Sequence, residues 1–337
     1  MAESGLDIAV IGATGAVGSD LIEAFERSSI DVARFIPVAS ASRVHSPVEA
    51  GGKRYTVLPV TGDAVPEKVL EEADLVVFAT PASVTRTLAP AVVDAGIAII
   101  DVGGALVDQG VMAVPLAGFP VDSDLFTDRR IACSPSAPAV LAATVLRPLR
   151  ALGLSRAQLS VMLPAGAFGR GGAEELSRQV VSLFNSGDPP RALFPDGLAF
   201  DVLAALGTPA DDWTGAERRL SMELAALLRL QPTDLPATVM VIPTFAGVSL
   251  NAVVTLQPGV GAERVRTTLN AIPTITVRDP VVSPLHTVGT ATAHAGRIRD
   301  DPGGRGVHFW ASGDNLRFGA SANVLAIAAQ LWRENLL

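Results

Sequence analysis

Up to Pro135 the chain alternates short runs of β-branched and aliphatic residues with longer mixed stretches. Four runs read as strands, at 8–11, 35–39, 75–79 and 97–101. Between the first two, Leu21, Ile22 and Phe25 recur at i, i+1 and i+4, an apolar stripe suited to packing a helix on a sheet. Strands separated by helices in this way predict a parallel, doubly wound sheet. Beyond Pro135 the pattern changes to a helical stretch at 139–152, a glycine-rich loop AGAFGRGG at 165–172 and an amphipathic helix at 173–185. Strands are expected at 159–163, 237–243, 250–256 and 307–311, with helices at 216–230 and 262–271. The loss of strict alternation predicts a second, α+β domain on a mixed or antiparallel sheet. Residues 315–337 read as a turn and a long helix with Val324, Ile327, Ala328 and Leu331 on one face, expected to return to the first domain. No internal repeat is present.

A length of 337 residues fits two domains, and 49% apolar with 18% charged residues is the composition of a folded chain. The net charge of −8 and the absence of any Lys/Arg block argue against a nucleic-acid partner. Apolar runs such as LVVFA fall far short of the roughly 20 residues of a membrane span, so a soluble protein with no membrane partner is expected. The start MAESGLDIAVIGA lacks the basic and apolar regions of a signal peptide. Cys133 is the single cysteine, which excludes an intrachain disulfide and points to a cytoplasmic location.

Directly after the first strand stands Gly12-Ala13-Thr14-Gly15-Ala16-Val17-Gly18, leading into a helix expected near Ser19. Glycines at such a turn let the backbone approach a pyrophosphate, whose charge the helix N-terminus stabilises. The competing reading is a merely structural tight turn. The second strand ends in Ala39-Ser40-Ala41-Ser42-Arg43, without the acid that usually holds the ribose hydroxyls of NAD. Ser40, Ser42 and Arg43 would suit a 2′-phosphate, so NADP is expected ahead of NAD; Arg43 as an ordinary surface arginine is the alternative.

A reaction centre is harder to find. Cys133, in IAC, reads as a buried, inert thiol, although a nucleophile paired with a histidine stays open. His286 and His294 fall in a loop-rich region, His308 in the strand-like VHFWA, and His45 beside the second strand. No His, Cys, Asp or Glu spacing suggests a metal, and no GxSxG occurs. The loop at 165–172 either lines a cleft or is a flexible turn exposing Arg170. Arg297, Arg299 and Arg317 are candidate anion contacts against the default of solvated arginines.

Taken together, GATGAVG at 12–18, the ASASR segment at 39–43, AGIAIID at 95–101, SPSA at 134–137, AFGRGGAEEL, AF at 199–200, AGRIR at 295–299 and DNLRFGASAN at 314–323 resemble aspartate-semialdehyde dehydrogenases almost end to end. The resemblance implies an α/β architecture: a Rossmann-type NAD(P)-binding domain at 1–132 completed by a C-terminal helix at 318–337, and an α+β dimerisation domain with a mixed sheet at 133–317. It further implies a homodimer, Asn315 among the cofactor contacts, and reductive dephosphorylation of an acyl phosphate through a thioester.

The family's catalytic positions, however, carry other residues here. Its Asn-Pro-Asn-Cys is matched by Ser134-Pro135-Ser136-Ala137, so the thiol is replaced by a methyl group. The family's glutamine falls on Pro164, its carboxylate-binding arginine on Val241, its acid–base histidine on Val248 and its phosphate-binding arginine on Val107. The segment Val114-Pro115-Leu116-Ala117-Gly118 lacks the expected Glu and Asn, while Glu217 matches a retained glutamate. The resemblance is therefore to homologues that keep the fold without the catalytic set. The expectation is a dimer that binds a dinucleotide or small ligand and is inactive as a semialdehyde dehydrogenase. The alternative is an NADP-dependent oxidoreductase acting on an aldehyde or oxo group by a changed mechanism.

Overall fold

The computed structural model describes residues 5–205, 212–279, 283–304 and 306–337. Packing divides the chain into two compact units, Met1–Ser136 with Ala320–Leu337, and Ala137–Gly319.

The first unit holds β1 (Leu6–Ile11), β2 (Val32–Ser40), a small hairpin of β3 (Val48–Ala50) and β4 (Lys53–Tyr55), β5 (Leu58–Val60), β6 (Leu75–Phe78), β7 (Ala98–Asp101), β8 (Val111–Met112) and β9 (Ile131–Cys133). Seven of these form one sheet in the order β5-β2-β1-β6-β7-β9-β8. Every pairing in it is parallel. All four residues of β6, and all four of β7, are buried, as expected of parallel strands covered on both faces. On one face lie Leu21, Ile22 and Phe25 of α1 (Ala16–Glu26), together with Val324, Ile327, Ala328 and Leu331 of the C-terminal helix Asn323–Arg333. On the other lie Val69 of α2 (Glu67–Glu72) and Leu88, Ala89 and Val92 of α3 (Ala82–Asp94). The last helix thus returns to the first sheet, as its stripe predicts.

Buried amides fix that return. Gln330 accepts from Val121 N at 2.8 Å and donates to Val121 O at 3.0 Å, and Asn323 Nδ2 donates to Ala113 O at 3.1 Å and Ser134 Oγ at 2.9 Å. Alongside them, α4 (Ser123–Arg129) is capped by Asp122, which accepts from Leu125 N.

The second unit contains α5 (Ala137–Leu146), β10 (Arg156–Pro164), α6 (Gly169–Phe184), α7 (Gly215–Leu228), β11 (Ala237–Ile242), β12 (Val248–Thr255), α8 (Ala262–Asn270), β13 (Ile275–Val277), β14 (Ala293–Asp300) and β15 (Val307–Gly313); the C-terminal helix is α9. Its sheet runs β11-β10-β12-β15-β14-β13. The β10–β11 and β13–β14 pairs are parallel and the rest antiparallel, so the sheet is mixed. Residues 139–146 of α5 are all buried, and this helix packs against β12, β14, β15 and α7. The opposite sheet face presents half-buried Met162, Met240, Asn251 and Trp310.

Several expectations need correction. The first helix starts at Ala16 rather than near Ser19, so the last three residues of the glycine motif form its first turn. The helix expected over 139–152 is α-helical only to Leu146. The following Arg147–Leu152 is 3₁₀, because Pro148 lacks the N–H that would continue the ladder. The glycine-rich stretch at 165–172 is no flexible loop: Ala165–Phe168 is a 3₁₀ turn, and 169–172 open α6. Strand β14 was not expected, and it carries His294, which the sequence assigned to a loop. At 317–322 the turn before α9 is π-helical.

Candidate functional site

In the parallel sheet the connections reverse direction between β1 and β6, and the carboxyl ends of strands at such a switch point are where ligands bind in doubly wound folds. A cavity of about 520 Å³ opens there. Its wall comes from the end of β1 (Ile11, Gly12, Thr14, Gly15), the end of β2 (Ala39, Ser40), the turn after β5 (Val60, Gly62, Asp63), the end of β6 (Ala79, Thr80, Pro81) and the first turns of α3.

The motif is built for this place. Gly12 has φ +95°, and a Cβ there would strike the Ala79 carbonyl at the end of β6. A Cβ on Gly18 would strike the Gly12 carbonyl, so this glycine lets α1 sit directly on the turn. Gly15 is the N-cap, with no side-chain cap and no acidic residue in the first turn. The N–H groups of Ala16, Val17 and Gly18 therefore belong to a helix start without an intrahelical acceptor, the arrangement that receives an anion.

Of the residues the sequence nominated, Gly12, Thr14, Gly15 and Ser40 line the cavity. Ala13 is fully buried, and Ala16 and Val17 lie in the first turn, with Val17 against the core. Ser42 Oγ stands 3.1 Å from Ser40 Oγ. Arg43 ends an exposed 3₁₀ turn and is not among the residues lining the cavity. Asn315 lies in the second unit, where its Oδ1 accepts from Gly247 N at 3.0 Å. Asp63, Thr80, Ser83 and Thr87 line the cavity without having been nominated. They follow strands or open a helix whose ends the sequence pattern does not locate, β5 being three residues long.

The positions matched to the family's catalytic set have local roles of their own. Ala137 is the first residue of α5 and Pro164 the last of β10. Val241 is buried, exchanges backbone hydrogen bonds with Leu203, and packs with Ala165, Leu176, Phe194 and Leu198. Val248 opens β12 and is fully buried. Val107 is exposed in the first unit. Pro115–Ala117 is a 3₁₀ turn. Glu217, which the resemblance matches to a family glutamate, is occupied by structure: its Oε2 accepts from Thr214 N at 2.8 Å in a capping box, and its Oε1 from Val239 N at 3.2 Å.

Cys133 is fully buried at the end of β9, within the core that includes Ile99, Leu106 and Ile131. His45, the single histidine of that unit, is exposed. In the second unit His308 Nε2 is 2.9 Å from Asp301 Oδ1, His286 is exposed, and His294 is buried. Burial, with Arg278 and His286 nearby, pushes the His294 pKa below the usual 6.5. Arg297 and Arg299 are exposed on β14. Among the described residues no group of three or more His, Cys, Asp or Glu could hold a metal ion, and no described helix is long and apolar enough to cross a membrane.

Residues 7–123 match the model of the semialdehyde dehydrogenase NAD-binding domain, and residues 146–318 that of the semialdehyde dehydrogenase dimerisation domain. The chain belongs to the semialdehyde dehydrogenase family. A USG-1 protein homolog of Azotobacter vinelandii is 29% identical over 340 residues, covering 98% of each chain. An aspartate-semialdehyde dehydrogenase of Campylobacter jejuni is 28% identical, covering 97% of each. The structure of a probable aspartate-semialdehyde dehydrogenase from Pseudomonas aeruginosa superposes with a TM-score of 0.89 at 27% identity, over 98% of this chain and all of that one. At 15% identity, a Candida albicans aspartate-semialdehyde dehydrogenase with NADP shares the fold, with a TM-score of 0.74 over 99% of this chain and 100% of that one.

Proposed function

We propose that this chain is a non-catalytic member of its family, a homodimer that binds a nicotinamide dinucleotide at the cavity above β1 and β6. The observation that carries the reading is the packing of Val241 and Val248: both are buried, and the first sits in an apolar cluster with Ala165, Leu176, Phe194 and Leu198, where it offers a ligand no charge. With Ala137 at the thiol position, no sulfur is available for a thioester, and Cys133 is enclosed by the core of the other unit. Loss of a nucleophile alone removes several orders of magnitude in rate.

The dinucleotide half of the reading is supported by Gly12, Thr14, Gly15 and the exposed start of α1, which would hold the pyrophosphate, while Ser40 and Ser42 would face the adenosine ribose. When bound, such a cofactor supplies a hydride acceptor. The expectation of NADP rests on Ser40, Ser42 and Arg43 together; NADP is named with the Candida structure, which shares the fold at 15% identity. Dimerisation is supported by the matched domain model and by exposed apolar groups within it: Val181, Phe184, Phe200 and Val202, with Phe184 and Phe200 stacked edge to face.

Purified protein incubated with aspartate semialdehyde, phosphate and NADP or NAD is expected to give no reduced cofactor. Phosphate-dependent turnover that scales with this protein and survives removal of host enzyme overturns the reading. The open cavity at an intact glycine motif favours one second reading, direct hydride transfer to an apolar carbonyl compound, which cofactor-dependent turnover of simple aldehydes would support.

A further inference from the structure

Of the sixteen described residues that line the cavity, Asp63 is the single ionisable one. Its position follows from the sheet. β5 is the parallel neighbour of β2, with Val60 directly opposite Ser40. Beyond Val60 the chain turns at once: Thr61 and Ala64 form a bridge, Ala64 N donates to Thr61 O, and Gly62 at φ +62° makes the reversal. Asp63 therefore stands on a tight turn at the same sheet end as Ser40, one strand over from the site where doubly wound proteins usually carry the acid for the ribose diol. That usual site holds Ser40 here, and the nearest cation in sequence, Arg43, is outside the lining.

We infer that Asp63 replaces the missing strand-end acid, so that the cavity prefers NAD(H) over NADP(H). The inference rests on the dinucleotide reading given above and reverses the preference that Ser40, Ser42 and Arg43 suggest by themselves. A carboxylate accepts hydrogen bonds from the 2′- and 3′-hydroxyls, whereas a 2′-phosphate brings about −2 of charge against it with no lining Lys or Arg to offset the repulsion. Asp63 is exposed, so solvent screens this repulsion, and the discrimination expected is about tenfold rather than thousands.

Calorimetric titration of the full chain with NADH and NADPH, at low and at physiological salt, tests it. The expected result is about tenfold tighter binding of NADH, with the gap narrowing as salt rises. Asp63→Asn and Asp63→Ser, both on an exposed turn and checked for unchanged melting temperature, are expected to bring the two affinities within about threefold, by improving NADPH as the repulsion is removed and weakening NADH as the ribose loses its acceptor. Adenosine 5′-monophosphate against adenosine 2′,5′-bisphosphate should repeat the pattern, because the difference resides in the ribose. Equal or tighter NADPH binding by the unaltered chain, or a preference that neither substitution changes, overturns the inference while leaving dinucleotide binding intact. Failure of both dinucleotides to bind overturns it together with the reading it rests on.

Discussion

Glu175 offers the sharpest quantitative test of how the second unit is held. It lies on α6, is 1% exposed, and points its carboxylate at the backbone of a later segment. Leu193 N donates to it at 3.1 and 2.9 Å and Phe194 N at 3.0 Å. One turn on, Gln179 accepts from Leu198 N at 2.7 Å and Ala199 N at 3.0 Å and donates to Pro190 O at 2.8 Å. These two side chains replace the secondary structure that residues 190–199 lack, and the segment they hold ends at Phe200, whose φ of +67° is strained for a residue with a Cβ. In Glu175→Ala the Phe194 amide is left buried without an acceptor, at about 1–3 kcal/mol, and the Leu193 amide, partly exposed, loses less. The total expected is about 2–4 kcal/mol, a large share of a domain's usual margin. Glu175→Gln keeps one acceptor and is expected to cost about half as much. Urea denaturation gives the energy, and hydrogen exchange at Phe194 locates it. A loss below about 0.5 kcal/mol for Glu175→Ala, with Phe194 still protected, would refute the claim that this carboxylate organises the segment.

Three further outcomes are expected. Because burial lowers the folded-state pKa of His294, the unfolded chain binds more protons below the usual 6.5; stability should fall as the pH drops through and below that value, and His294→Asn should flatten the decline in melting temperature between pH 8 and 5. Gly18→Val, which sets a branched side chain against the Gly12 and Ala13 backbone, should lower the melting temperature and abolish nucleotide binding together, as read by thermal denaturation with and without NADH. Leu331→Ala on α9 should cost about 2.7–5 kcal/mol in chemical denaturation, because its side chain is fully buried against the first sheet.

The parts of the fold legible in sequence were those with a long, one-sided pattern. The stripe Leu21, Ile22 and Phe25 and the face Val324, Ile327, Ala328 and Leu331 both end up in the same core. What escaped was short or compositionally neutral. β5, β8 and β9 have two or three residues each, too few for a periodicity to emerge, and β14 reads AHAGRIRD, whose alanines and glycine carry little strand preference. The glycines of 165–172 suggested freedom, yet Gly172 is buried at a place where a Cβ would meet Ala165 O and Phe168 Cβ; close packing and flexibility require the same residue. Asp63 escaped for a related reason, since its relation to Ser40 is made by the pairing of two strands and not by their separation along the chain.

The buried carboxylates of the second unit and the positions that the resemblance matches to the family's polar groups differ in one physical respect. Glu175, Glu217 and Glu223 are buried carboxylates, and each has its partner inside the protein: backbone amides for the first two, the Arg219 guanidinium at 2.7 Å for the third. The positions that carry hydrocarbon, Ala137, Val241 and Val248, are those to which the family resemblance assigns groups whose partner is a substrate. A buried charge without its partner costs several kcal/mol, and a chain that no longer meets the substrate gains stability by replacing such a group with a well-packed apolar one. A carboxylate that satisfies backbone amides has no such alternative, because its removal strands the amides. By the same argument Val241→Arg, which places a cation there without a partner, should destabilise the apolar cluster around Leu176 and Phe194; a variant as stable as the unaltered chain would show that the cluster accommodates a guanidinium.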